Sequence, residues 1–220
     1  MSRVRETAPL SRDLVLRAAL RILDERGTDG LTMRALGSEL GVEAMSVYRH
    51  VPGKRAVEEG VVGLLIDELA ARLDAEGPAS EGWREDTERF ARTFRRVAID
   101  HPGAFTLFAE HPTRAWTAAR ATTDASLARL RQAGFAPGTA IAALRTVIRY
   151  VIGFSLAEVA GAADERGPDD VPALQREGYP LTADLVEAVA GEPREGLFDF
   201  GLTALLDGLE SRRLGAPPPR

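Results

Sequence analysis

From Ser11 onward the apolar positions recur at helical spacing. Leu14, Ala18 and Ile22 lie four apart, and Val15, Ala19 and Leu23 run beside them, so residues 11–26 carry one apolar stripe. Ser11 stands before the stripe as an N-cap and Gly27 after it as a stop. A second segment opens at Thr32, another N-cap, turns Leu36 and Leu40 inward and ends at Gly41. A third fits between Gly41 and Pro52-Gly53, with Val42 and Val47 as its inward positions. A longer helix is predicted over 54–76, before Gly77-Pro78. The same period continues over 83–99, which holds Trp83, Phe90, Phe94 and Val97. After the His101-Pro102-Gly103 break come a short apolar piece at 104–109 and a long helix over 113–133 that ends at Gly134. The most apolar helix is predicted over 138–160, a loop-like stretch over 163–180, and two last helices over 181–189 and 194–213. Alternating β-branched runs bounded by turns do not occur, so the pattern predicts an all-α chain.

The first three segments follow the helix-turn-helix plan, in which two helices meet at a wide angle through a short turn that often contains glycine. Here that turn is Leu40-Gly41-Val42-Glu43, and Gly41 permits the left-handed backbone of a tight reversal. With Val47 inward, Ala44, Met45, Ser46 and Tyr48 project from the helix start and its far side. Recognition helices meet base edges with such residues. Ala44 and Met45 suit a thymine methyl, and Ser46 suits a base or a phosphate. Arg34, in the first turn of the second segment, is able to grip a guanine with two bonds. Arg49, His50 and Lys54 stand where phosphates would run, and Lys54 opens a helix whose free amides attract anions. The same residues also fit a plain helical domain in which Tyr48 and His50 cover a core edge. The first reading puts a DNA-binding domain in residues 1–55 and a larger helical ligand-binding and dimerisation domain in residues 56–215.

Charge agrees in direction. The chain is −5 overall, but residues 1–55 hold ten Arg/Lys against seven Asp/Glu, and the rest holds 18 against 26. An acidic body with a mildly basic head suits a protein that meets phosphate at one end, although a net +3 also arises by ordinary variation. With 220 residues, 45% of them hydrophobic, the chain can build a sizeable core. It has no cysteine, which excludes disulfides and thiolate zinc sites and suits a reducing compartment. The charged N-terminus lacks the apolar centre of a signal peptide, and no stretch approaches 18 uncharged apolar residues. We therefore expect a cytoplasmic protein without a membrane partner. A Gly-rich phosphate loop, a histidine pair with metal spacing and an arguable Ser–His–Asp set are all missing, which argues against an enzyme.

The larger part carries aromatic residues where a small-molecule cavity would lie between bundle helices: Phe90, Phe94, Phe105, Phe108, Trp116, Tyr150 and Phe154. Arg149 and His111 are the polar anchors for such a ligand, and no cofactor is expected beside it. Ordinary core packing accounts for most of these aromatics equally well. In the last helix Gly201, Ala204 and Gly208 share a face flanked by Phe198, Leu202, Leu205 and Leu209. A glycine inside a helix costs about 1 kcal/mol against alanine, so two of them point to a close helix contact. A twofold four-helix seam with residues 138–160, through Ile148 and Ile152, would use it. Packing within one subunit is the alternative.

The run LTMRALGSELGVEAMSVYRHVPGKRAV resembles the DNA-binding head of TetR-type transcriptional repressors in its Leu-Thr-x-Arg-x-Leu, Leu-Gly-Val, Tyr-x-His-Val and Lys-Arg positions. GFAPGTAIAALRTVIRYVIGFSLAE is similar to that family's eighth helix and FDFGLTALLDGLE to its final one, so the resemblance covers nearly the whole chain. The body is similar to that of the tetracycline-repressor subfamily. This resemblance implies a homodimer that binds a palindromic operator in double-stranded DNA and is released by a small-molecule effector. It places Arg34, Ser46, Tyr48, His50 and Lys54 on family DNA-contact positions. Ala44 and Met45 stand where the tetracycline repressor has Gln and Pro, so its operator sequence does not carry over. Leu107 and, approximately, Ala157 stand where it has its magnesium-binding histidine and pocket glutamate, which argues against a magnesium–tetracycline chelate. The 54–76 helix joins head to body, and the 104–109 piece is the element expected to push on it. The competing expectation is a helical small-molecule-binding protein or enzyme with a vestigial DNA-binding head.

Overall fold

A computed structural model describes residues 9–77, 82–110, 117–160, 170–189 and 194–213. Its helices are α1 (Arg12–Gly30), α2 (Met33–Leu40), α3 (Ala44–Tyr48), α4 (Lys54–Ala75), α5 (Trp83–Asp100) and α6 (Pro102–Glu110). They continue as α7 (Arg120–Gln132), α8 (Pro137–Val159), α9 (Val171–Arg176), α10 (Pro180–Val189) and α11 (Arg194–Arg213). The described residues contain no strand.

The predicted caps form. The Ser11 hydroxyl accepts the Leu14 N–H at 3.2 Å, and the Thr32 hydroxyl accepts that of Ala35 at 3.0 Å. Each satisfies an amide that the first helical turn would otherwise leave open. Gly41 closes α2 in the left-handed region, at φ 66°. Gly27 leaves the helical conformation at φ 67°, so the regular helix stops there as expected, and one more short turn follows to Gly30. The stretch expected as loop at 163–180 contains α9, with proline in its first turn. Proline suits that position because the amide it lacks has no helical partner anyway. Of the long helix expected over 113–133, the structure describes α7, and residues 111–116 lie outside the described residues.

Two compact units result. The first comprises Met1–Gly77 and Arg96–Thr123, the second Pro78–Arg95 and Asp124–Arg220. In the first unit α4 and α6 both pack on α1, and α6 also packs on α4. Val57, Val61, Leu65 and Leu69 of α4 continue the core begun by Val15, Ala18, Ile22 and Leu23 of α1. Leu36 and Val47 are fully buried there, whereas Leu40 and Val42 are only half-buried.

In the second unit α8 packs on α11, with Val147, Val151, Phe198, Leu202 and Leu206 buried. Trp83 meets Phe135 edge-on with ring centres 4.9 Å apart. The α9–α10 hairpin has a small core of its own, made of Leu174, Ala183 and Val186 against Val171. The α8 helix is long and apolar enough to cross a membrane by length and composition, and only 33% of its most apolar window is buried.

Candidate nucleic-acid interface

The geometry of the turn between α2 and α3 is set by Gly37. A methyl group there would stand 2.8 Å from the Val42 carbonyl oxygen and 3.1 Å from the Ala44 amide nitrogen. The hydrogen of glycine lets the two backbones touch, and the Val42 N–H donates to the Gly37 carbonyl at 2.9 Å. This contact starts α3 directly on α2. Val47 then points inward with no exposure, while Met45 is 67% and Tyr48 44% exposed. Arg34 and Arg49 are exposed, and Ala44, Ser46 and His50 are half-buried. One short helix thus holds an apolar tip and a phenol outward, and Arg34 and Arg49 are exposed in the same helix-turn-helix segment.

Two side-chain bonds brace this surface from behind. Arg21 of α1 reaches Glu39 of α2 at 3.3 Å. The Lys54 ammonium donates to the Thr28 carbonyl at 3.0 Å, which fastens the start of α4 to the last turn of α1. Lys54 was expected as a phosphate contact. Here one of its three protons is engaged by a carbonyl, and two remain for a phosphate.

The residues expected around a ligand are divided between the units. Phe105 and Phe108 are buried in the first, ring centres 5.1 Å apart. Phe90 and Phe94 lie in the second, 5.8 Å apart. Tyr150 and Phe154, also in the second, close on Phe198 at 5.4 and 5.2 Å. The Tyr150 hydroxyl donates to the Phe198 carbonyl at 2.7 Å. Burial pushes the Tyr150 phenol up from its ordinary pKa, with the Asp199 charge adding and the Arg95 charge opposing. Arg149 is exposed, and His111 and Trp116 lie outside the described residues.

Two of the expected dimer residues, Phe198 and Gly201, need correction. Phe198 is fully buried among Tyr150, Phe154 and Arg95 of its own chain, so its ring has no surface left for a second subunit. Gly201 faces Tyr150 in the same way. Ile148, Ile152, Leu205 and Gly208 are half-buried, and a methyl group added at Gly208 would meet no side chain but the Arg212 guanidinium, at 4.0 Å. The open apolar side of α11 is instead Leu197 and Phe200, 41% and 77% exposed, and α8 adds Ile141 at 47%. In the sequence Phe198, Leu202, Leu206 and Leu209 form one of two competing helical stripes, and it leaves Phe200 off.

Sequence reading also missed several polar groups. Arg95 grips Glu158 with two bonds, at 2.8 and 2.6 Å, under the Phe198 ring. Ser155 of α8 is fully buried, and its hydroxyl has no hydrogen-bond partner among the described residues. His101 bridges two carboxylates. Leu107 is fully buried and Ala157 exposed.

Residues 15–61 match the family described as Bacterial regulatory proteins, tetR family, and residues 77–213 match the Tetracyclin repressor-like, C-terminal domain. The tetracycline repressor protein class A from transposon 1721 of Escherichia coli is 35% identical over 213 residues, 93% of either chain. A possible TetR family transcriptional regulator from Streptomyces coelicolor A3(2) is 31% identical, with a TM-score of 0.74 over 91% of this chain and 99% of that one. A TetR variant from Acinetobacter baumannii AYE, solved in complex with minocycline, is 28% identical, with a TM-score of 0.73 over 96% and 98%.

Proposed function

The chain belongs to the TetR family of bacterial regulators and is a DNA-binding transcriptional repressor, and from that premise we infer how its residues divide the work. Residues 1–55 read the operator, and residues 56–215 hold the effector and the dimer contact. Two chains related by a twofold axis present their α3 helices to successive major-groove faces, about 34–36 Å apart. Arg34, Ala44, Met45, Ser46 and Tyr48 meet the bases and their near phosphates. Arg49, His50 and Lys54 meet the backbone. One observation carries this reading: Val47 is wholly buried while its neighbours Met45 and Tyr48 stand out from the protein.

The dimer contact is the open apolar side of α8 and α11, with Ile141, Leu197 and Phe200 exposed on it. Arg145 and Arg149 are exposed along the same α8, which suits a protein partner better than lipid. The effector is a small molecule, a reading supported by the Acinetobacter relative solved in complex with minocycline. The unsatisfied Ser155 hydroxyl is a polar group that a ligand in the body would satisfy. Leu107 offers no metal ligand, so the effector binds without a chelated ion at that position. The protein acts in the cytoplasm as a regulator and not as an enzyme.

Binding against salt tests the reading. A duplex selected from a random pool by the wild-type chain loses affinity steeply as salt rises, because each phosphate contact releases counterions. Arg49→Ala lowers the slope by about one per subunit. A chain that selects no duplex, or binds one with a flat salt curve, overturns it.

A further inference from the structure

Three helices of the first unit meet at one side chain. His101 sits in the turn before α6 and is largely buried. Its Nδ1 lies 2.8 Å from an oxygen of Asp24 on α1, and its Nε2 lies 3.1 Å from an oxygen of Glu68 on α4. The other Asp24 oxygen accepts the Ala104 N–H at 3.2 Å, at the start of α6. Beside this bond Gly103 lies so close to α1 that a methyl group would fall 1.9 Å from the Leu23 carbonyl oxygen. Glu68 also pairs with Arg72, and Arg72 reaches Asp100 at 2.7 Å. Asp24, Glu68 and His101 are far apart in the sequence. Their meeting therefore fixes three separate elements at one point.

The consequence is mechanical. The α1 helix is the base of the reading head, and α4 is the rod that leaves it. Packed helices slide against each other when only apolar side chains hold them, because such contacts have no fixed direction. Hydrogen bonds between the ring nitrogens and carboxylate oxygens have direction. The flat contact at Gly103 removes the remaining freedom of approach. The joint does not touch the outward face of α3, so it has no part in reading bases.

We propose that His101 is a positioning residue for operator binding: through Asp24 and Glu68 it sets the angle between α1 and α4, and so the spacing of the two heads in the dimer. This rests on the operator reading given above. Head spacing is what a palindrome measures. A single half-site does not measure it.

The experiment uses full-length protein and the duplex selected by the wild type. Affinity is measured for that duplex, for versions with one or two base pairs inserted between the half-sites, and for an isolated half-site. The wild type is expected to bind the native spacing best and to lose sharply on insertion. His101→Ala is expected to bind the native spacing about 10-fold more weakly, to lose little more on insertion, and to keep the half-site affinity. Glu68→Ala, at a more exposed site, is expected to do the same. Arg72→Ala, which leaves the His101 bridge intact, is expected to keep the wild-type spacing preference. Thermal unfolding followed by circular dichroism accompanies each variant, since a merely weakened fold would lower palindrome and half-site binding alike. Folded His101→Ala and Glu68→Ala proteins with the wild-type spacing penalty overturn this proposal alone. A wild type that selects no duplex overturns the operator reading and this proposal together.

Discussion

Gly201 meets the Tyr150 ring so closely that a methyl group in place of its hydrogen would stand 2.4 Å from the phenolic oxygen. The ring cannot retreat cheaply, because it stacks on Phe198 and donates to the Phe198 carbonyl. Gly201→Ala is therefore expected to destabilise the protein by about 1–3 kcal/mol, the usual cost of overpacking. Urea denaturation of the single variants and of Gly201→Ala with Tyr150→Phe reads it. The alanine should cost less when the phenolic oxygen is gone. An alanine that is neutral in both backgrounds would show that the contact gives way freely.

The same tyrosine predicts an alkaline limb of stability. Its folded-state pKa lies above the ordinary value, chiefly through burial. As pH rises, the unfolded chain therefore releases this proton first. The contribution is complete below about pH 10, the ordinary tyrosine value. It is lost as pH rises through the folded-state value. Denaturant midpoints at pH 9 and above should fall more steeply for the wild type than for Tyr150→Phe. Parallel curves would mean that Tyr150 ionises in the fold as it does in the open chain.

What the sequence disclosed follows from the range of each interaction. The caps at Ser11 and Thr32, the Gly41 turn and the inward Val47 depend on neighbours within four residues, and each could be read from its own stretch. The facing of α11 could not, because two apolar stripes compete on it. Phe198 turned inward because Tyr150, Phe154 and Arg95 receive it, and those lie far off in the chain. The His101 bridge joins residues 77 and 33 positions apart. Periodicity carries no information on such a meeting. His101 falls at the His101-Pro102-Gly103 break, and nothing in that stretch points to its two carboxylate partners.

Gly37 governs the reading head without facing DNA. Its hydrogen is the space in which the Val42 carbonyl and the Ala44 amide lie, and both are backbone atoms that cannot rotate aside. Gly37→Ala must displace the start of α3. We expect a loss of about 1–3 kcal/mol in stability, together with weaker duplex binding at a temperature where the variant is fully folded. The salt slope should change little, since no phosphate-facing side chain is removed. Gel-shift titration at two salt concentrations checks this. Unchanged affinity in a folded variant would show that α3 tolerates the shift.

The Arg95–Glu158 pair makes a prediction whose two halves differ in size. Both side chains are about nine-tenths covered, at 12% and 11% exposure, and the guanidinium lies 5.0 Å from the centre of the Phe198 ring. Removing one partner leaves the other charge buried in a place built for two. Glu158→Ala or Arg95→Ala is thus expected to cost about 3–5 kcal/mol. Replacing both, as Arg95→Met with Glu158→Leu, removes the desolvation penalty along with the attraction and should cost clearly less than either single change. A double-mutant cycle by chemical denaturation measures the difference. If the double variant were as unstable as the sum of the single ones, the two groups would be acting independently, and their contact would be incidental to the packing around Phe198.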